Sequence, residues 1–483
     1  MQNLYSDQQA KLLDNLAQEQ YGIPSLTLME DAAFSTYNLI RDEIRCAKHV
    51  LSIAGGGNNG GDALALARLV FLDGFTDIAI LLADNGKETE QRRIQKEACE
   101  KLGIRIISDW DLAVSESDLI IDGLFGIGLK GETRAPFDSL IEKVNASGKK
   151  VISLDVPSGM GDGAKFAKCI KAAQTVCMAI PKSEIYLPQN RDFAGNVKMT
   201  FNFFPKGAIP KSDLILLDGS DITVKPLAKS AYKKTRGSVA IIGGSGRYTG
   251  AVVLAAKAAF HAGAGLVTVF TEEKLISVIA KSVPSAMIST YDKITDLSVF
   301  DAVLCGPGMG SSHDGALKLA FESAKALVVD ADGIRAFCRL GLKADRRCIL
   351  TPHLGEYSAL LSSFCPDAET DTPDSWIGTL KEVARITNST IVVKANTVWI
   401  ASVKKPTYVI DGQNPSLGVA GSGDVLSGII TALVAQGDDD AAADGVLIHQ
   451  EAGHLAETKY GFYSSNELIN LIGKARSNQC FEN

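Results

Sequence analysis

The sequence has no CxxC pair, no long apolar run and no excess of basic charge, and each absence removes a class of function. Nine cysteines are scattered along the 483 residues. Odd in number and without paired spacing, they read as free thiols of a reducing compartment rather than as a disulfide frame or a zinc site. No apolar stretch approaches the roughly 18 residues that span a bilayer. The opening MQNLYSDQQAKLLDN lacks the basic start and apolar core of a secretory signal, so the cytoplasm is the expected location. The net charge of -7 argues against a nucleic-acid or anionic-membrane partner. What remains, 46% hydrophobic and 22% charged, is an ordinary globular composition. The length calls for two or three domains, and each half can bury its own core.

Short apolar strands alternate with amphipathic helices almost throughout. His49–Ala54, Asp77–Ala83, Leu119–Asp122, Val151–Asp155 and Thr175–Ile180 read as buried strands. Ala63–Leu72 and Thr89–Leu102 have helical apolar spacing, and Ser6–Gln20 reads as a leading helix capped by Ser6. The pattern loosens in FPKGAIPKS (Phe204–Ser212) and restarts at Ser238–Gly243. The domain boundary therefore falls within Lys206–Pro226, giving domains at 1–212 and 225–483. Beyond it, Leu266–Phe270, Ala302–Cys305, Ala326–Asp330 and Ile391–Lys394 read as strands, and Ala251–Ala262 and Val425–Ala435 as helices. Such alternation builds βαβ units on a mainly parallel sheet. The expected architecture is α/β, with two doubly wound domains in tandem.

The sharpest local signal is AGSGDVLSG (Ala420–Gly428), which opens a helical pattern. Gly421 and Gly423 permit a close backbone approach, and the helix N-terminus behind them favours an anion. Asp424 is odd in a pure phosphate cradle, because it repels phosphate. It is either a helix cap or a base that takes a proton from a hydroxyl attacking a phosphoryl group. Glycine turns recur after strands at GGSGRYTGA (Gly243–Ala251) and CGPGMGSS (Cys305–Ser312). In open α/β sheets such loops gather at the carboxyl ends of the strands, where ligands bind.

In order, VAIIGGSGRYTGAVVLAAKAAFHAGAGLVTV, LCGPGMGSS, VVDADG, LTPHLGE and AGSGDVLSGII resemble the ADP/ATP-dependent dehydratases of hydrated NAD(P)H. That resemblance implies a ribokinase-like fold over Lys225–Lys459. It implies ADP or ATP as co-substrate, with magnesium. It makes Asp424 the base and gives Gly423 the nucleotide phosphates. It assigns Ala251, Gly308 and His353 to the hydrated cofactor, and Lys394, Ala395, Asn396, Thr397 and Val398 to the adenine nucleotide. Two departures stand out: Tyr232 and Lys233 replace a usual His-Lys context, and KANTV replaces a Lys-Gly-Ala-x-Thr loop. Asp330 and Asp332 either approach magnesium or serve as turn and cap residues. Glu356 is read as a local cap or pair.

In the front half, GGGNNGGDALALAR (Gly55–Arg68) lies between a strand and a helix. It is neither GxGxxG nor a Walker A loop. Its amides suit a pyrophosphate, and Asn58 and Asn59 add carbonyl oxygens that suit a hard cation. IIDGLFGIGLKGE (Ile120–Glu132) and ISLDVPSG (Ile152–Gly159) each set an Asp at a strand end. Together these segments resemble the Rossmann-like epimerases of hydrated NAD(P)H over Met1–Pro205. The resemblance implies that Asn58, Asn59, Gly60, Gly61 and Asp62 bind the hydrated cofactor. It implies the same for Gly126, Ile127, Gly128, Leu129, Lys130, Gly131 and Glu132. Asn59, Asp122 and Ser158 would hold potassium, and Asp155 would act as acid–base. Ala63 stands where the family has Gly, and the segment after Ser158 is altered.

The two resemblances together imply a bifunctional repair enzyme acting on small molecules, hydrated NADH or NADPH with ADP or ATP, and a homo-oligomeric assembly. A vitamin-type kinase with an accessory front domain is the alternative. A nucleotide sensor with degenerate sites is a third reading, and it conflicts with the retained Asp62, Asp122, Asp155 and Asp424.

Overall fold

A computed structural model of the chain describes residues 1–84, 86–129, 131–161, 168–200, 204–345, 347–370 and 372–478. Two compact units emerge. One comprises Asn3–Leu214 with Glu369–Ile377, and the other Met1–Gln2, Ile215–Ala368 and Gly378–Asn483.

The first unit carries a parallel sheet of β1 (Val50–Ala54), β2 (Ile78–Leu82), β3 (Arg105–Ile107), β4 (Leu119–Gly123), β5 (Lys150–Leu154), β6 (Gln174–Cys177) and β7 (Asn196–Met199). Their order is β3-β2-β1-β4-β5-β6-β7. Side chains alternate between two cores, as a period of two requires. Val50, Ile80, Ile121 and Ile152 enter one core, and Leu51, Ile53, Ile120 and Val151 the other. Both faces are therefore apolar and helix-covered, which suits a parallel sheet. The chain winds in opposite directions from β1 and β4, so a crevice opens at their carboxyl ends.

The second unit contains β8 (Ser238–Ile242), β9 (Leu266–Thr271), β10 (Met287–Thr290), β11 (Ala302–Cys305), β12 (Ala326–Val329), β13 (Arg347–Leu350), β14 (Thr390–Val393), β15 (Thr397–Ala401) and β16 (Thr407–Asp411). Their order is β16-β15-β14-β13-β12-β11-β8-β9-β10. Neighbours from β13 to β10 are parallel, and β14–β15–β16 form an antiparallel meander. Among the described residues no helix is long and apolar enough to cross a membrane.

Two local expectations needed correction, and one element was missed. The helix expected at Ala63 begins at Asn58, so NNGGD forms its first turn rather than a preceding loop. Glycines disfavour helix, but close packing outweighs that here: a Cβ on Gly60 would lie 2.0 Å from the Gly55 carbonyl oxygen. The strand expected to reach Ile180 stops at Cys177, ahead of Ala179 with its positive φ of 63°. The helix Ser25–Cys46 was not anticipated.

The helix that carries Asp424, Ser422–Ala435, packs on Thr249–His261. They come close at Gly428, where a Cβ would lie 2.4 Å from the Ala255 carbonyl oxygen. We expect Gly428→Ala to cost about 1–3 kcal/mol by forcing these helices apart. Urea unfolding checks this, and an unchanged midpoint would refute the close approach.

Candidate functional site

In the first unit a cavity of about 740 Å³ opens at the carboxyl ends of β1, β2 and β4 to β6. Asn58, Asn59, Asp62, Gly126, Ile127, Gly128, Leu129 and Asp155 all line it. Gly60 and Gly61 sit behind this wall, against the Gly55 backbone and the Met29 side chain. Gly131 and Glu132 are not among the lining residues, and Glu132 is exposed. Lys130 lies outside the described residues.

Asp122 ends β4 fully buried, and its carboxylate accepts hydrogen bonds from Ser153 Oγ at 2.7 Å, Ser158 N at 3.0 Å and Ser158 Oγ at 2.5 Å. Burial raises its pKa, against the lowering pull of those donors. Ser158 Oγ in turn accepts from Phe125 N at 2.8 Å, tying the loop after β4 to the loop after β5. Asn59 is buried, and among the described residues neither its side-chain oxygen nor its nitrogen has a partner. Its side chain lies 3.2 Å from where a Gly126 Cβ would stand. An amide oxygen, a carboxylate and a hydroxyl are donors of the chemistry that suits a hard cation. Ala63 fits because the facing residue is Gly123, whose Cβ would meet Ala63 Cβ at 2.5 Å.

Asp155 follows β5 in a strained left-handed conformation, with φ of 65°. Its N–H donates to the Val176 carbonyl at 2.8 Å. Such strain in a non-glycine residue concentrates at functional sites. Sequence patterns did not single out the residue that meets it: Lys182, in the segment AIPKSEIYLP, donates to Asp155 Oδ1 at 2.5 Å. Also overlooked was Arg92, fully buried, whose Nε donates to the Gly55 carbonyl at 2.5 Å and whose guanidinium pairs with Asp84 and Glu88. It braces the glycine turn from behind.

Two more carboxyls face this cavity. Asp14, on the helix Asp7–Glu19, opens onto it, and the surrounding protein pushes its pKa up to about 6. Burial, with the charges of Asp155 and Asp14, raises Asp62 well above the usual carboxylate range.

In the second unit Gly421, with φ of 89°, caps the helix that brings Asp424 in its first turn. Asp330, buried at the end of β12, accepts from Lys394 Nζ at 2.7 Å. That amine lies 3.3 Å from where a Gly423 Cβ would stand. Asp332 Oδ2 accepts from Gly310 N at 2.8 Å, joining the loops after β11 and β12. Burial, then the charge of Asp330, pushes Asp424 up to about 7, with Lys394 opposing and Asp332 and Glu356 adding. Four charged residues, Asp330, Asp332, Glu356 and Lys394, thus bear on the first turn of one helix.

The other expected residues are placed unevenly. Gly308, with φ of 58°, meets Ala251: a Cβ there would lie 3.2 Å from Ala251 Cβ and 2.4 Å from the Tyr248 carbonyl oxygen. His353 is exposed and caps the helix Leu354–Phe364 through Nδ1, which accepts from Gly355 N at 3.0 Å. Glu356 closes the capping box by accepting from His353 N at 3.0 Å. A short parallel bridge nevertheless sets His353 beside Lys394. Ala395 and Asn396 make the bend between β14 and β15, and the Asn396 side chain accepts from Thr397 N at 2.9 Å. Thr397 is buried, and Val398 belongs to the core. His449 was also overlooked: it is buried, hydrogen-bonds Ser422 Oγ at 3.0 Å, and is lowered to about 4, chiefly by desolvation. Among the described residues no group of three or more His, Cys, Asp or Glu side chains is arranged to hold a metal.

The raised Asp424 has a consequence for stability. A carboxyl whose folded pKa lies above its unfolded value stabilises the fold fully below the unfolded value, 3.8. That contribution is lost as pH rises through about 7. Asp424→Asn should therefore gain stability over wild type between about pH 4 and 7, by roughly 1–3 kcal/mol at the plateau. Unfolding midpoints of both proteins against pH measure it. A pH-independent difference would mean that the carboxyl is not desolvated.

The family model described as NAD(P)H-hydrate dehydratase matches residues 239–474, and that described as YjeF-related protein N-terminus matches residues 25–184. The bifunctional NAD(P)H-hydrate repair enzyme Nnr of Coxiella burnetii is 32% identical, over 95% of this chain and 96% of its own. That of Thermofilum pendens is 30% identical, over 96% of this chain and 94% of its own. Among solved structures, the ADP/ATP-dependent NAD(P)H-hydrate dehydratase from Bacillus subtilis, co-crystallized with ATP/Mg2+, is similar at 23% identity and a TM-score of 0.46. That similarity covers 53% of this chain and 95% of that chain. Matched along nearly its whole length at this identity, the chain belongs to the family of bifunctional NAD(P)H-hydrate repair enzymes.

Proposed function

We infer that the chain repairs hydrated NAD(P)H: the first unit interconverts the R and S hydrates, and the second dehydrates the S hydrate at the expense of ADP or ATP. The observation that carries this is the pair of separate sites, each with a desolvated carboxyl among glycine loops, on a chain that such enzymes match from end to end. Hydroxide is a poor leaving group, and phosphorylation makes the hydroxyl a good one. The lone pair of the ring nitrogen then expels phosphate, and loss of a proton from C5 restores the dihydropyridine.

In the second unit Asp424 takes the proton of that hydroxyl, and a pKa of about 7 suits a group that must accept a proton near neutrality. The amides of the Gly421–Gly423 turn and Lys394 hold the nucleotide phosphates. Asp330 and Asp332 stand close enough to influence Asp424 and suit the nucleotide's magnesium. In the first unit Asn59, Asp122 and Ser158 would hold potassium, which supplies a fixed positive charge that orders the loops after β4 and β5. Asp155 serves the hydroxyl-bearing carbon there. Burial, with the charges of Asp155 and Asp14, favours the protonated form of Asp62, which would donate to the bound cofactor.

Two substitutions test the division of labour. The assay mixes R and S hydrated NADH with potassium, magnesium and ADP or ATP. Wild type should restore NADH absorbance completely. Asp424→Asn should slow recovery by about 10²–10⁴-fold, and recovery at the full rate would remove Asp424 as the base. Asp155→Asn should recover only the S fraction on the time scale of the wild-type reaction. Complete and rapid recovery would remove Asp155 from the epimerisation. A stable phosphorylated product, with no NADH formed, would favour a small-molecule kinase instead.

A further inference from the structure

We propose that Lys182 is the positioning residue of the epimerase site, holding Asp155 so that one oxygen is bonded to the amine and the other is presented to the substrate. This rests on the epimerase reading of the first unit. Lys182 is 3% exposed, and its Nζ donates to Asp155 Oδ1 at 2.5 Å and to the Met178 carbonyl at 2.5 Å. Its backbone is fastened to a buried neighbour: Tyr5 N donates to the Pro181 carbonyl, and Ser183 N to the Tyr5 carbonyl, each at 2.9 Å. The amine therefore has little freedom to follow a moving carboxylate.

The free oxygen, Asp155 Oδ2, lies 3.6 Å from where a Gly126 Cβ would stand, and the absence of that Cβ leaves its approach open. Asp155 itself and Ala179, in the segment that leads to Lys182, have positive φ angles of 65° and 63°. Each such conformation is strained in a residue other than glycine. Removing a lysine amine from water is costly too, and a buried ion pair often stabilises less than apolar residues of the same volume. A strained and desolvated pair in a cavity wall is poorly explained by stability alone.

The surrounding charge makes a fixed cation useful. Asp155 and Asp7 act on the amine, and Asp14 from one helix and Asp62 from another are held down by it. Cys177 and Glu184 lie on the same side, and Glu184 accepts from Asp7 N. Lys11 and Lys87 also line the cavity, but among the described residues neither is hydrogen-bonded to Asp155. Without Lys182 a cluster of carboxyls would share protons in no fixed pattern.

The chemistry needs one well-aimed base. Asp155 Oδ2 takes the proton of the C6 hydroxyl, and the O–H pair becomes the second C–O bond of an aldehyde. The C6–N1 pair passes to the ring nitrogen and spreads into the conjugated carboxamide, opening the ring. Rotation about C5–C6 presents the other face. The nitrogen pair then re-forms the C6–N1 bond, and Asp155 returns the proton to oxygen. Nothing is oxidised or reduced.

The test uses the full chain without nucleotide, so that dehydration does not run, and follows R-enriched hydrated NADH by chromatography. If wild type does not interconvert the epimers, the epimerase reading fails, whatever Lys182 does. Given wild-type turnover, Lys182→Met should lower kcat by about 100-fold or more, with KM changed by less than about threefold. Lys182→Arg keeps the charge but displaces it, and should lose only about three- to thirtyfold. In an Asp155→Asn background, Lys182→Met should cost less than about threefold further, because it acts through Asp155. The proposal is overturned by a wild-type kcat in either single variant, by a loss that lies in KM, or by losses that multiply in the double variant. Should Lys182→Met fail to fold, Lys182→Arg decides by the same kcat-against-KM criterion.

Discussion

A carboxylate at the carboxyl end of a parallel strand is difficult to keep charged. The sheet is covered on both faces, so the residue that ends the strand leaves the core directly into a narrow crevice with little water. Asp122, Asp155 and Asp330 all stand in this position, and Asp424 meets the same conditions from the first turn of a helix. Each is kept usable by a local supply of donors or by one cation. Asp122 draws on the hydroxyls and an amide of Ser153 and Ser158. Asp155 draws on Lys182, and Asp330 on Lys394. The site chemistry in both units follows from how each acid is compensated.

That compensation requires the backbone to come close. Gly55, Gly60 and Gly123 let β1, β4 and the helix Asn58–Leu72 pack without side chains between them, and Arg92 holds the turn from behind. In the second unit the Gly428 crossing fixes the helix that carries Asp424. Sub-ångström errors in such packing move a carboxylate off its donor, and the electrostatic benefit falls steeply with distance. The glycines of these sites therefore act as much through packing as through contact with a ligand.

Much of this was legible in the sequence because it is local. Strand–helix alternation exposes a parallel sheet, and Gly-Asp patterns at strand ends expose NNGGD, DGLFGIGL, DVPSG and GSGD without any knowledge of the fold. What escaped notice depends on distant partners. Lys182 meets an acid 27 residues away, and Arg92 a carbonyl 37 residues away. Neither has a local signature, since an isolated Lys or Arg in a helix or loop reads as surface. The start of the helix at Asn58 was missed because glycine propensity argues against helix and only tertiary packing overrules it. His353 shows the reverse: its motif was plain, yet the fold also uses it as a helix cap, with Glu356 three residues on closing the box.

The two sites divide a similar inventory of charge differently. In the first unit the buried amine bonds directly to Asp155, the residue that serves the substrate. In the second, Lys394 bonds to Asp330, and Asp424 feels that amine only at a distance. A cation in direct contact holds its partner in place. One that is already paired leaves the next carboxylate to face desolvation and the charge of its neighbour, which is why Asp424 rises to about 7. The difference matches the work proposed for each. Reversible ring opening lends a proton and takes it back at one carbon, which favours a carboxyl held in one position with a single aimed oxygen. Phosphoryl transfer removes a proton once from a hydroxyl of much higher pKa, which favours a base of high proton affinity. The placement of one lysine relative to two aspartates is enough to separate these behaviours.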